Sequence, residues 1–139
     1  MAESQTKPAE KGMPDAEGPT GELAIRTIAM PSDQNASGDI FGGWVLSQMD
    51  IAGGILAGRR AKGRTATVAV DAMTFHLPVH VGDVVNCYSR IERVGRTSLT
   101  VAVEVWAERR NTKEVVKVTE GLFTFVALGK DRRPRPVDG

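Results

Sequence analysis

GWVLSQMDIAGGILAGRRA, residues 43–61, is the stretch on which the fold turns. Trp44, Val45, Leu46, Met49, Ile51, Ala52, Ile55 and Leu56 leave it apolar on most faces, with only Ser47, Gln48 and Asp50 polar before Gly58. A helix apolar nearly all round must be covered nearly all round, so the rest of the chain has to wrap it. Gly53 and Gly54 inside it each cost roughly 1 kcal/mol of helix propensity, which implies a neighbour packed close to the backbone there. The following GRRAKGR, residues 58–64, has the glycine spacing of a phosphate loop but ends in arginine, and reads as a C-terminal cap with cations at the negative end of the helix dipole.

Upstream, ELAIRTIAM (22–30) alternates and is β-branched, the pattern of a strand, and PSDQNASGD is a loop of turn formers. Downstream, four segments read as strands: 65–75, 83–94, 97–108 and 114–128. The clearest is SLTVAVEVWAE, where Leu99, Val101, Val103, Val105 and Ala107 share one face and Ser98, Thr100, Glu104 and Glu108 the other. VGRT and RRNTK between the later strands are hairpin-sized connections. These elements predict an α+β fold in which a long, curved antiparallel sheet wraps one central buried helix. The outer sheet face, carrying Tyr88 and Trp106, and any exposed strand edge invite self-association.

The chain of 139 residues suggests one domain. Residues 1–20 hold three prolines and no periodic apolar pattern and are expected to be a disordered leader, 21–128 the domain, and 129–139 a flexible basic tail. Lys plus Arg number 18 against 17 Asp plus Glu, and this net charge of +1 argues against bulk nucleic-acid or membrane binding. No apolar run reaches the roughly 18 residues that span a bilayer. A single cysteine excludes an internal disulfide and, with no signal-peptide layout at the start, points to the cytoplasm.

Few chemical constellations survive inspection. No G-x-S-x-G elbow, phosphate loop or G-x-G-x-x-G is present. His76 and His80 are the only histidines, and Pro78 between them argues against a helical metal pair, so no metal is expected. His76 stays open as a general base. Cys87 alternates with Val85 and Ile91 on an apolar strand face and reads as an inert core residue. Asp39, in NASGDIFGGW (35–44), admits two readings. It, Asp33, Asn35 or Ser37 could cap the helix. Alternatively, Gly42 and Gly43 let helix-start amides approach a carbonyl while Asp39 activates water against it. Asp50, a carboxylate within the apolar helix, needs either a structural partner or a role in a site.

MPSDQNASGDIFGGWVLSQMDIAG strongly resembles the signature of the hotdog-fold acyl-coenzyme A thioesterases, in particular the bacterial YciA-like group. MTFHLPVHVGDVV resembles that family's F-x-x-P-V-x-V-G-D segment, and GRTSLTVAVEVW its following hairpin, so the likeness runs from Leu23 to Leu128. The resemblance implies hydrolysis of acyl-CoA to free acid and CoA without metal or organic cofactor, in homodimers with sites at the subunit interface that often assemble as trimers of dimers. It makes Asp39 the catalytic carboxylate and Gly42 and Gly43 the amides that polarise the thioester carbonyl. Thr74 and Phe75 become acyl-channel candidates, and Arg93, Arg96, Thr97 and Ser98 candidates for CoA. His76 and Leu77 precede Pro78 where relatives often carry a basic residue. Two alternatives share the fold: an acyl-thioester hydratase or dehydratase, needing a histidine that only His76 could supply, and a non-catalytic acyl-CoA sensor, for which the sequence shows no added regulatory domain. A single-strand nucleic-acid module would need basic, aromatic-rich surface, whereas aromatics are 5% of the chain.

Overall fold

The computed structural model describes residues 18–139. In chain order it has β1 (Glu22–Ile28), a short 3-10 turn (Pro31–Asp33), α1 (Gly42–Ala61), β2 (Thr65–Phe75), β3 (Val84–Val94), β4 (Ser98–Glu108) and β5 (Val115–Ala127). The strands form one sheet in the order β1-β3-β4-β5-β2, every neighbouring pair antiparallel. The four long strands thus stand within a residue or two of where alternation placed them. Among the described residues no helix is long and apolar enough to cross a membrane.

The sheet curls over α1, which packs against all five strands. Its buried side, Val45, Met49, Ala52, Gly53, Leu56 and Ala57, meets Val101, Val103, Val105, Phe123, Phe125 and Cys87 in one core. Gly53 is the point of closest approach: a Cβ there would stand 3.1 Å from the Phe125 ring and 3.4 Å from Val103. That accounts for one of the two helical glycines, while Gly54 sits at ordinary contact distance from Phe125. Ser89 Oγ donates a buried 3.0 Å hydrogen bond to the Ala52 carbonyl and pins the helix to β3.

Two expectations need correction, and a third holds. The helix is not covered all round by its own chain: Leu46 is 36% and Ile51 53% exposed, because a five-stranded sheet reaches only one side of it. The helix ends in the expected cap, with Arg59 and Arg60 in its last turn and Lys62 in the left-handed conformation (φ 57°). Gly63 closes the motif by donating its N–H to the Gly58 carbonyl. Residues 129–139 are not a free tail. Arg135 donates to the carbonyls of Ala61 (2.7 Å) and Leu128 (3.0 Å), Val137 N–H donates to the Arg96 carbonyl, and Val137 is buried. Composition flagged the prolines and charges but could not show that one arginine would satisfy the carbonyls at the helix end. Most of the expected leader lies outside the described residues; its last member, Thr20, hydrogen bonds to both carboxylate oxygens of Glu104.

The two sheet edges differ. β2, eleven residues long, has only β5 beside it and exposes Val68, Val70 and Phe75. A long, apolar, unpaired edge is a ready template for pairing with another strand. On the outer face, Trp106 is already buried within the chain, its indole N–H donating to Glu104 (2.9 Å).

Candidate active site

The site begins in the connection from β1 to α1. Asn35 organises it: its side-chain oxygen accepts from the N–H groups of Ser37 (2.8 Å) and Asp39 (3.1 Å), and its own N–H donates to the Asp39 carbonyl (2.6 Å). Gly38 turns the chain at φ +90°, a conformation open to glycine and costly for most other residues. Ile40 then buries itself and donates its N–H to the Val79 carbonyl, tying the loop to the segment after β2.

None of the four suspected side chains caps α1. The N-cap position is Phe41, and no side chain accepts from the first turn. Among the described residues the amide N–H groups of Gly42 and Gly43 find no acceptor. Neither glycine has the left-handed backbone that would require it. A Cβ at Gly43 would meet nothing within 4 Å, and one at Gly42 only the Phe75 ring at an ordinary 3.6 Å. Two residues therefore give up helix propensity without any reason inside the chain. What they provide is a positive helix terminus with unpaired donors and no side chain in front of it, the geometry that accepts an anion or a developing oxyanion.

That terminus opens onto a cleft of about 330 Å³. Asp39, Gly42, Phe75, His76 and Thr119 line it together with Ile40, Val45, Leu77 and Val79. Asp39 is half-buried there. The described hydrogen bonds hold its backbone on both sides and leave its carboxylate free of partners. Of the two acyl-channel candidates, Phe75 lines this cleft, whereas Thr74 lines a separate hollow of about 250 Å³ on the outer sheet face with Arg90, Glu104 and Glu120.

Arg93, Arg96, Thr97 and Ser98 lie at the other end of the molecule. The Thr97 carbonyl accepts from Ala127, whose neighbour Leu128 bonds to Arg64, just past the end of α1. A helix of 20 residues is about 30 Å long, so within one chain these groups stand roughly that far from Gly42.

Asp50 is only half-buried, on the uncovered side of the helix, and its one described partner is neutral: Thr67 of β2 donates its hydroxyl to the carboxylate at 2.5 Å in an exposed contact. Its charge is not matched by any cation among the described ion pairs. His76 lines the cleft with Asp39 and is paired to another carboxylate, its Nε2 lying 2.8 Å from Glu120, which also holds Lys117 at 3.0 Å. Partial burial alone would raise the Glu120 pKa; hydrogen bonds from Lys117 and His76 overcome that and hold it below the ordinary glutamate value. Cys87 is fully buried, and burial pushes its thiol up to about 12, leaving it inert. Among the described residues no cluster of His, Cys, Asp and Glu could hold a metal ion.

Two members of this cleft have roles the sequence reading does not give. Asn35, a cap candidate there, instead bonds the N–H groups of its own turn, as asparagine commonly does. Thr119 carries no signal, being one β-branched residue in a strand of them.

Comparison with known proteins identifies the family. The family described as the thioesterase superfamily matches residues 37–114. The acyl-CoA thioester hydrolase YciA of Salmonella typhimurium is 52% identical over 122 residues, covering 86% of this chain and 92% of the relative. That of Escherichia coli is 51% identical over 120 residues, covering 84% and 91%. A hexameric thioesterase from Yersinia pestis superposes with a TM-score of 0.83 at 50% identity, covering 87% of this chain and 98% of its own. A hexameric hotdog-fold thioesterase of Campylobacter jejuni gives 0.80 at 42%, covering 84% and 90%. With its helix-on-sheet architecture and identity sustained over most of its length, this chain belongs to the thioesterase superfamily, as a YciA-like member with the hotdog fold.

Proposed function

We propose that the protein hydrolyses acyl-CoA thioesters to free acid and CoA, the reaction named for its relatives from Salmonella and Escherichia coli. The single observation that carries the mechanism is the pair of unpartnered amides at Gly42 and Gly43, open to a ligand at the positive end of α1. A thioester carbonyl oriented on those donors gains most as its oxygen becomes negative, which lowers the barrier to attack. Asp39, beside them and free of hydrogen bonds on its carboxylate, is the candidate base that takes a proton from the attacking water. CoA leaves as the thiol, and no cofactor enters the balance.

A second assignment of the base rests on Asp50. A base is most effective when a third group orients it, and the Thr67 hydroxyl does so for Asp50, whereas among the described residues nothing does so for Asp39. Asp50 stands about 12 Å along the helix from Gly42, too far to serve its own chain's amides. A two-fold dimer formed through the exposed β2 edge removes that obstacle. Antiparallel pairing about the middle of β2 lays the start of one copy's strand, with Thr67 and Asp50, beside the end of the other's, with Phe75 and Gly42. The same pairing carries the basic end of one copy, with Arg93 and Arg96, toward the other copy's cleft, where CoA phosphates need cations. Hexamers, as named for the relatives from Yersinia pestis and Campylobacter jejuni, are then three such dimers.

The test is thiol release from a panel of short- to long-chain acyl-CoAs by the wild type, Asp39→Asn and Asp50→Asn, each checked for oligomeric state. Loss of about a hundredfold or more in kcat marks the base. Equal, near-wild-type rates in both variants would reject carboxylate catalysis, and no release by the wild type from any substrate would reject hydrolysis.

A further inference from the structure

The cleft contains one group that neither the fold nor the mechanism above uses. Thr119 lies on β5 opposite Phe75 of β2 and is fully buried. Its hydroxyl is shielded from bulk water and, among the described residues, has no hydrogen-bond partner. A buried hydroxyl left unpaired is destabilising, and an apolar residue of the same shape would avoid that cost. Valine has that shape, and both β5 neighbours of the same strand stretch, Val116 and Val118, are valine. The hydroxyl is also well placed for a ligand. Thr119 lines the same cleft as Asp39 and Gly42, and its strand partner Phe75 is the residue that contacts Gly42. Most of the surrounding lining, Ile40, Val45, Leu77 and Val79, is apolar, so an acyl chain bound there meets a hydrocarbon wall with one buried polar atom in it.

We infer that Thr119 is a specificity determinant: its hydroxyl hydrogen bonds to an oxygen on the acyl chain a few bonds beyond the thioester carbonyl, so that the cleft favours 3-hydroxyacyl and 3-oxoacyl groups over plain alkyl groups of the same length. The hydroxyl offers one donor and two acceptor positions and serves either group. Because it is desolvated in the free protein, forming this bond costs no further stripping of water from the enzyme. An alkyl chain gains nothing from it and leaves it unpaired. The inference rests on the hydrolase reading and adds the substrate class.

The experiment compares kcat/KM for 3-hydroxybutyryl-CoA and butyryl-CoA in the wild type, Thr119→Val and Thr119→Ser. The wild type should favour the hydroxylated substrate several-fold. Thr119→Val should lower that ratio by about tenfold, the worth of one hydrogen bond, with the loss falling on the hydroxylated substrate. Thr119→Ser, which retains the hydroxyl, should keep the ratio within about twofold of the wild type. An unchanged ratio in Thr119→Val, or an equal loss on both substrates, overturns the inference and makes Thr119 a packing residue. A wild-type ratio of one or less overturns it without recourse to any variant, should the valine variant not fold. Failure of the hydrolase reading looks different: the wild type then releases CoA from neither substrate.

Discussion

Gly43→Ala and Gly53→Ala make the same chemical change ten positions apart in one helix, and the structure gives them opposite signs. At Gly43 the backbone is helical and a Cβ meets nothing within 4 Å, so alanine recovers helix propensity of roughly 0.5–1 kcal/mol at no steric cost. For a domain of this size that raises Tm by about 3 °C. At Gly53 the same Cβ stands 3.1 Å from a Phe125 ring that is itself 2% exposed and stacked on Phe123, so the ring has no room to yield. Overpacking of this kind costs about 1–3 kcal/mol, which outweighs the propensity gained and lowers Tm by several degrees. Activity should order the pair the other way. Alanine at Gly43 puts a methyl group where the thioester must approach the amides, and a displacement near 1 Å costs about a hundredfold in rate. Gly53→Ala leaves those amides untouched and should keep most of its kcat at temperatures where it is folded. The assay is thermal denaturation at fixed protein concentration alongside thiol release. A Gly43→Ala protein that is less stable than wild type would mean that another chain, not a ligand, fills that space. One that is as active as wild type would refute the oxyanion role of this helix terminus.

Other consequences follow from the polar interior. Asp83 and Arg109 form a buried ion pair at 2.6 Å, Asp83 also accepting from His80 N–H and Arg109 also donating to the Pro78 carbonyl. Arg109→Met strands a buried carboxylate and should cost about 3–5 kcal/mol in urea denaturation; a loss under 1 kcal/mol would show that the pair is dispensable. Glu120, held below its ordinary pKa, contributes stability that is present above about pH 4.5 and lost as the pH falls through its lower folded value. Glu120→Gln should therefore flatten the fall in stability on acidification below that pH, and an identical acid limb in both proteins would contradict the assignment. Cys87 should resist alkylation at pH 8 in the native protein and react at once in denaturant. Fast native labelling would place the thiol outside the core.

Periodicity made the fold legible because both periods were clean. Alternation over SLTVAVEVWAE located β4 to within a residue, and the apolar run after Gly42 located α1. Register and strand order were not legible, since β1 pairs with β3 and β2 with β5 through contacts far apart in sequence. The site was legible in part. NASGDIFGG pointed to the loop that borders the cleft of about 330 Å³, with Gly42 at its edge. Periodicity does not choose between Asp39 and Asp50, because the choice proposed above rests on pairing through the β2 edge, which one chain's pattern does not carry. Nor could it separate Thr74 from Phe75, which alternate to opposite faces of β2 near a register shift. Thr119 was silent for a similar reason: its distinction is a missing hydrogen bond, and absences leave no pattern.

The fold-back of the last residues bears on when the protein can be completed during synthesis. Arg135 is the group that satisfies the Ala61 carbonyl at the end of α1, and Val137 seals the same end of the core. Synthesis runs from the amino end, so these two emerge only after all five strands. Until then the sheet is whole but its far end stands open, so sealing that end is the domain's last folding step.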